Sequence, residues 1–162
     1  MKLAFIIVFP LSIICVFVYL VTYDQISQDQ IRQELTPKQL ETIELLGDLD
    51  PTSSTIQKFR SDEELMVITK TLFLNQCASC HGILGSGQSA PNLCDDYFIH
   101  VKELPDLYTA ISDGAINKGM IPFHSLLTNN QMILLSAYVA NLRGSVSTGK
   151  FSEGQQIPPW QE

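Results

Sequence analysis

Five consecutive residues, Cys77-Ala78-Ser79-Cys80-His81, constrain this chain more than any other feature. At the end of a helix, two thiols three positions apart can reach two adjacent vinyl groups on one edge of a porphyrin. The histidine beside the second thiol then turns under the ring to ligate iron, which is the spacing of c-type haem attachment. Two other chemistries use close cysteine pairs. A thioredoxin-like dithiol sits between a β-strand and a helix, whereas Leu65, Ile68, Leu72 and Phe73 recur at helical spacing before Cys77. A zinc site needs four closing ligands, and only Cys94, His100 and His124 could complete that set. The preferred reading is one covalent haem c on Cys77 and Cys80, its iron bound by His81.

A sixth ligand decides whether such an iron stores electrons or does chemistry. Met120 stands in Lys118-Gly119-Met120-Ile121-Pro122-Phe123, a loop bounded by Gly and Pro where a side chain can be aimed. A thioether ligand raises the reduction potential and closes the iron to substrate. His124 and His100 are the rival ligands. Met66 and Met132 lie at core spacing on helices and read as packing.

The N-terminus has a different character. From Leu3 to Val21, 17 of 19 residues are apolar, with only Pro10 and Ser12 as exceptions. At 1.5 Å per residue that length matches one membrane crossing. A cleaved signal peptide would end in small residues, but Thr22, Tyr23 and Asp24 follow. A lipoprotein site at Cys15 would follow a bulky Ile14. Residues 1–23 are therefore expected to be an uncleaved transmembrane anchor, single-pass in the cell inner membrane. Lys2 on one side against Asp24, Asp29 and Glu34 on the other puts the haem domain on the periplasmic side.

Residues 24–61 are polar and read as a spacer with one short helix. Thr36-Pro37-Lys38-Gln39 forms its capping box, Leu40, Ile43, Leu45 and Leu46 its apolar face, and Gly47 its end. Asp50 to Thr55 reads as loop. The expected haem domain is 62–145. A second box, Ser61-Asp62-Glu63-Glu64, opens its first helix. A helix is expected from Leu104-Pro105 to Ser112, stopped near Gly114. A third box, Thr128-Asn129-Asn130-Gln131, opens the last helix, which Gly144 ends. Residues 146–162 read as a flexible Gly/Ser/Pro-rich tail. No strand-rich segment appears, so the fold class is all-α. A net charge of −7 sets nucleic acid aside as a partner. Asp95 and Asp96 are expected to steer a basic partner surface, unless the acids are merely a solvated face or a permanent complex makes steering irrelevant.

Several segments together resemble the class I cytochrome c family. They are Cys77 to Gly82, Ala90-Pro91-Asn92-Leu93, Lys118-Gly119-Met120, and Leu135-Ser136-Ala137-Tyr138-Val139-Ala140-Asn141-Leu142. Within that family, Pro91-Asn92-Leu93-Cys94-Asp95-Asp96-Tyr97-Phe98-Ile99-His100 is similar to a stretch of the C-terminal haem domain of subunit III of cbb-type cytochrome c oxidases. The resemblance implies a helical fold whose first and last helices cross over the haem. It also implies that the Pro91 carbonyl takes the His81 imidazole N–H. Cys94 departs from that subunit's threonine, and Thr69 stands where the family usually has glycine at the helix crossing. That subunit usually carries two haem motifs and a larger membrane part; this chain has one motif and one apolar segment. The implied function is a membrane-anchored monohaem cytochrome passing single electrons in a respiratory chain, as subunit or donor of a cbb-type terminal oxidase. A shuttle bound to another respiratory complex is the alternative, followed by a haem enzyme or gas sensor, which would need an open sixth position.

Overall fold

The computed structural model describes residues 14–20 and 34–161, which fall in separate compact units. Residues 14–20 are helical. The transmembrane helix expected over residues 1–23 is not seen: among the described residues no helix is long and apolar enough to cross a membrane. Residues 14–20 rise about 10 Å at 1.5 Å each, a third of a hydrocarbon core of about 30 Å. The remainder of that segment, residues 1–13 and 21–23, lies outside the described residues.

The all-α expectation holds for the second unit. Its helices are α1 (Pro37–Glu44), α2 (Ser53–Arg60), α3 (Glu63–Gln76), α4 (Ala78–His81), α5 (Leu104–Asp113) and α6 (Asn129–Leu142), with a 3-10 turn at Ile116–Lys118. Two-residue strands β1 (Tyr97–Phe98) and β2 (Gln155–Gln156) pair antiparallel. The α1 and α6 starts follow directly from sequence. Thr36 and Thr128 each accept from the backbone three residues on, and Gln39 and Gln131 return the bond to the cap backbone.

Helix α6 is the centre, touched by α1, α2, α3 and α5. Ile133, Leu134, Leu135, Ser136 and Ala137 are fully buried, so this helix is enclosed on every side. Against α3 it brings the Tyr138 ring within 5.2 Å of Phe73. Thr69, the departure from glycine, is buried, and its hydroxyl donates to the Leu65 carbonyl at 2.7 Å. Ser136 does the same to Met132 at 2.8 Å. Both hydroxyls are thus satisfied within their own helices, which removes the cost of burying them.

Residues 34–61 differ from the expected spacer. Of the expected loop Asp50–Thr55 only residues 50–52 are outside a helix; Ser53–Arg60 is helical, capped by Thr52, and its Ile56 and Phe59 are buried with Ile43 of α1 in the common core. Asn130 reaches back to the Gly47 carbonyl at 2.6 Å, and Asn141 to the Arg60 carbonyl at 2.8 Å. The α3 start also shifts by one residue. Asp62, not Ser61, accepts from the Leu65 N–H, because Ser61 closes α2 by donating to the Lys58 carbonyl.

The tail is likewise held. Arg143 spreads its guanidinium over the Asp96 carboxylate at 2.7 Å, the Pro158 carbonyl at 2.7 Å and the Ile157 carbonyl at 2.8 Å. Trp160 stacks under that guanidinium, meets Phe98 edge-on, and donates from Nε1 to the Ala140 carbonyl. Asp96 therefore binds the protein's own arginine, and Asp95 Oδ1 accepts from the Tyr97 N–H. Both carboxylates expected to steer a partner already have local structural work.

Candidate haem-binding site

Helix α3 delivers the motif. It ends at Gln76, Cys77 caps it, and α4 is the single turn that follows. The Cys80 and His81 N–H groups both bond to the Cys77 carbonyl, at 3.1 and 2.9 Å. Neighbours three apart on one turn place their Cβ atoms about 5–6 Å from each other. Both cysteines are free thiols. Burial, and then the neighbouring Cys80, push the Cys77 thiol up to about 12, so it is a protonated thiol at neutral pH.

The chain then doubles back. Gly87 donates to the His81 carbonyl at 2.8 Å, Ala90 to Cys80 at 2.9 Å, and Leu93 to Gly85 at 2.7 Å. These bonds carry Pro91 to His81, whose Nδ1 lies 2.9 Å from the Pro91 carbonyl oxygen. A carbonyl only accepts, so Nδ1 is the protonated nitrogen and Nε2 keeps its lone pair. Burial is the main reason the His81 imidazolium is held below its ordinary range; the Pro91 bond opposes this, and the charge of Lys150 adds to it. A neutral imidazole with a free Nε2 is the form that binds a metal.

Met120 lies at the end of a tight loop. Ala115 and Met120 exchange both backbone bonds, at 2.9 and 3.1 Å, around the 3-10 turn. The loop is anchored on the end of α5: Phe123 and His124 donate to the Ile111 and Ser112 carbonyls. Gly114 permits this approach, because its φ is +66° and a Cβ there would meet the Ile121 backbone at 2.6 Å. Met120 is half-buried and packs against the core edge. Met132 is buried and Met66 half-buried on the same core, as packing residues.

The competing readings of the cysteine pair fare differently. Among the described residues no three His, Cys, Asp or Glu side chains assemble to hold a metal, so Cys94, His100 and His124 are not gathered around Cys77 and Cys80. Cys94 is buried and points its thiol at the Leu84 carbonyl, 3.2 Å away. His100 is exposed in a bend, and His124 is exposed with Nδ1 2.9 Å from the Ser112 carbonyl. A helix, not a strand, precedes Cys77, which disfavours a thioredoxin-like dithiol. Two surface grooves beside Trp160 include none of Cys77, Cys80, His81 or Met120 in their walls.

The donor set fits haem c: two free thiols on one helical turn, an imidazole with its tautomer fixed, and a thioether on an anchored loop. Apolar side chains next to these donors are left uncovered, with Ile83 50% and Ile121 54% exposed. Sequence inspection did not identify Lys150, which reaches the same loop from the tail through bonds that no local pattern announces.

The family described as Cytochrome c matches residues 67–143. Cytochrome c-L of Methylorubrum extorquens is 33% identical over 75 residues, covering 45% of this chain and 38% of that protein. The cbb3-type cytochrome c oxidase subunit CcoP of Azospirillum sp. is 25% identical over 123 residues, covering 65% of this chain and 42% of that protein. Among solved structures, cytochrome cL from Methylophaga aminisulfidivorans aligns over 55% of this chain and 65% of that one, with 26% identity and a TM-score of 0.47. The chain spans about two-fifths of the length of these curated relatives. The family match and the two curated relatives, with the Cys-x-x-Cys-His turn and its proline-bound histidine, identify residues 67–143 as a cytochrome c domain, of the family that binds haem c covalently and transfers electrons.

Proposed function

We propose that this chain is a monohaem electron carrier of a respiratory chain, working on the periplasmic side as a subunit of, or donor to, a cbb-type terminal oxidase. The observation that carries the electron-transfer role is the 2.9 Å contact between His81 Nδ1 and the Pro91 carbonyl. The likeness to the oxidase subunit CcoP supports the choice of complex, as does the Pro91 to His100 stretch.

In this reading Cys77 and Cys80 would hold the haem through thioether bonds, and His81 and Met120 would ligate its iron. The haem supplies an iron that alternates between ferric and ferrous, one electron at a time. The protein does the rest. Pro91 fixes the orientation and tautomer of His81, holding Nε2 ready as a ligand. The Ala115–Met120 backbone pair fixes where the thioether stands. Buried apolar residues of α3 and α6, Leu72, Phe73 and Leu135 among them, keep water from the interior.

A second reading has one specific support, the higher identity to cytochrome c-L: a shuttle serving another respiratory complex. Affinity purification of the tagged full chain from detergent-solubilised membranes separates the two. Recovery of a haem–copper oxidase with it at fixed ratio is the expected result. Recovery alone, or with a different complex, overturns the oxidase assignment.

A further inference from the structure

The chain beyond α6 crosses back over the loop that carries Pro91, and one residue grips that loop. The Lys150 N–H donates to the Ser86 carbonyl at 2.8 Å. Its Nζ lies 3.4 Å from the Ser89 carbonyl and 3.5 Å from the Ala90 carbonyl. The Asn92 side-chain amide reaches the Lys150 carbonyl at 3.4 Å. Pro91 thus stands between two residues that Lys150 touches. The crossing is close: a Cβ on Gly87 would sit 2.7 Å from Lys150 Cβ and 2.9 Å from the Asn92 nitrogen, at a φ of +84°. A glycine is required there for the tail to lie down. The ammonium pairs with the Glu153 carboxylate at 2.7 Å.

We propose that Lys150 is a positioning residue for the haem ligand, holding the Pro91 loop against His81 and placing a charge beside it that helps set the midpoint potential. The inference rests on His81 being the ligand, as proposed above. Ferric iron carries one more positive charge than ferrous iron. A cation near the ligand therefore favours the ferrous state and raises the potential, while an anion lowers it. The two partners of the Lys150–Glu153 pair should then act with opposite sign. A strap that served only to hold the loop would have no reason to distinguish them.

Spectroelectrochemical titration of the full-chain holoprotein tests this with Lys150→Gln, Lys150→Arg and Glu153→Gln. Expected are a lower midpoint in Lys150→Gln, a higher one in Glu153→Gln, and a near wild-type value in Lys150→Arg. Both shifts should shrink as salt rises. Midpoints that do not move, or that move in the same direction in Lys150→Gln and Glu153→Gln, overturn the proposal while the His/Met absorption spectrum stays intact. A wild-type spectrum without His/Met ligation overturns the ligand assignment beneath it instead. Should Lys150→Gln fail to load haem, the sign of the Glu153→Gln shift still decides.

Discussion

His81 and Pro91 are joined through a single hydrogen bond, 2.9 Å from the imidazole Nδ1 to the proline carbonyl. Pro91 follows His81 by ten positions, and the chain around it is folded back by backbone bonds that include Gly87 to His81, Ala90 to Cys80 and Leu93 to Gly85. The carbonyl cannot donate, so the proton is on Nδ1 and the metal-binding lone pair is on Nε2. One backbone oxygen thereby leaves Nε2 as the nitrogen that could bind a metal.

Covalent attachment predicts a thiol count. The sequence holds four cysteines. Titration of the denatured holoprotein with a thiol reagent should find two, Cys15 and Cys94, with one haem added in the intact mass. Four titratable thiols would mean that the haem is not bonded to the motif.

Helix α2 predicts a stability effect far from the haem. Ile56 is fully buried against the core, so Ile56→Ala should cost about 2–5 kcal/mol. Thermal unfolding of the holoprotein should fall by roughly 2–4 °C for each kcal/mol lost. A melting temperature equal to wild type would return residues 34–61 to the status of a spacer.

The Arg143 fork predicts a protease-sensitive tail. Its side chain is 10% exposed, while Asp96 is 53% exposed, so the ion pair itself contributes little. The two carbonyl bonds and the Trp160 stack carry most of the effect, and Arg143→Ala should lose about 2 kcal/mol. Limited proteolysis should then cut within residues 146–160, where the wild type resists. Lysine should not rescue, since it lacks the planar fork. Equal digestion of both proteins would contradict this.

Tyr138 gives a pH dependence. Burial first, and the nearness of Cys94 second, push its phenol above the ordinary value of 10.0. The folded state then holds a proton that the unfolded state releases. The associated stability is complete below about pH 10 and declines as pH rises further. Ultraviolet titration should show one tyrosine ionising after the others, and Tyr138→Phe should abolish that late step. Persistence of the late step in Tyr138→Phe would assign it elsewhere.

Legibility followed the range of the interactions. The capping boxes at Thr36 and Thr128 are reciprocal bonds within four residues, and the sequence displays them whole. The box at Ser61 slipped by one because Ser61 is already used in closing α2. Helix α2 itself buries only Ile56 and Phe59, too few positions to show a period in a stretch as polar as Pro51 to Thr55. The tail has no period at all; Arg143 and Lys150 hold it through single long-range bonds to carbonyls. At the site, the motif and the Gly-bounded Met120 loop are local and readable. The grip of Lys150 on Ser86 joins residues far apart in the chain, which no spacing rule anticipates. The acidic pair Asp95-Asp96 looked free because the sequence does not show that Arg143 lies opposite.

Bound by both His81 and Met120, the iron would be closed to other ligands, so that the domain carries electrons only. Absorption spectra of the reduced full-chain holoprotein under carbon monoxide test it most directly. The wild-type spectrum should be unchanged, because His81 and Met120 would both be bound to the iron, and Met120→Ala should bind the gas at once. Immediate binding by the wild type would contradict the claim by showing an open site. A Met120→Ala protein that still refuses the gas would contradict it by showing that another residue is the ligand.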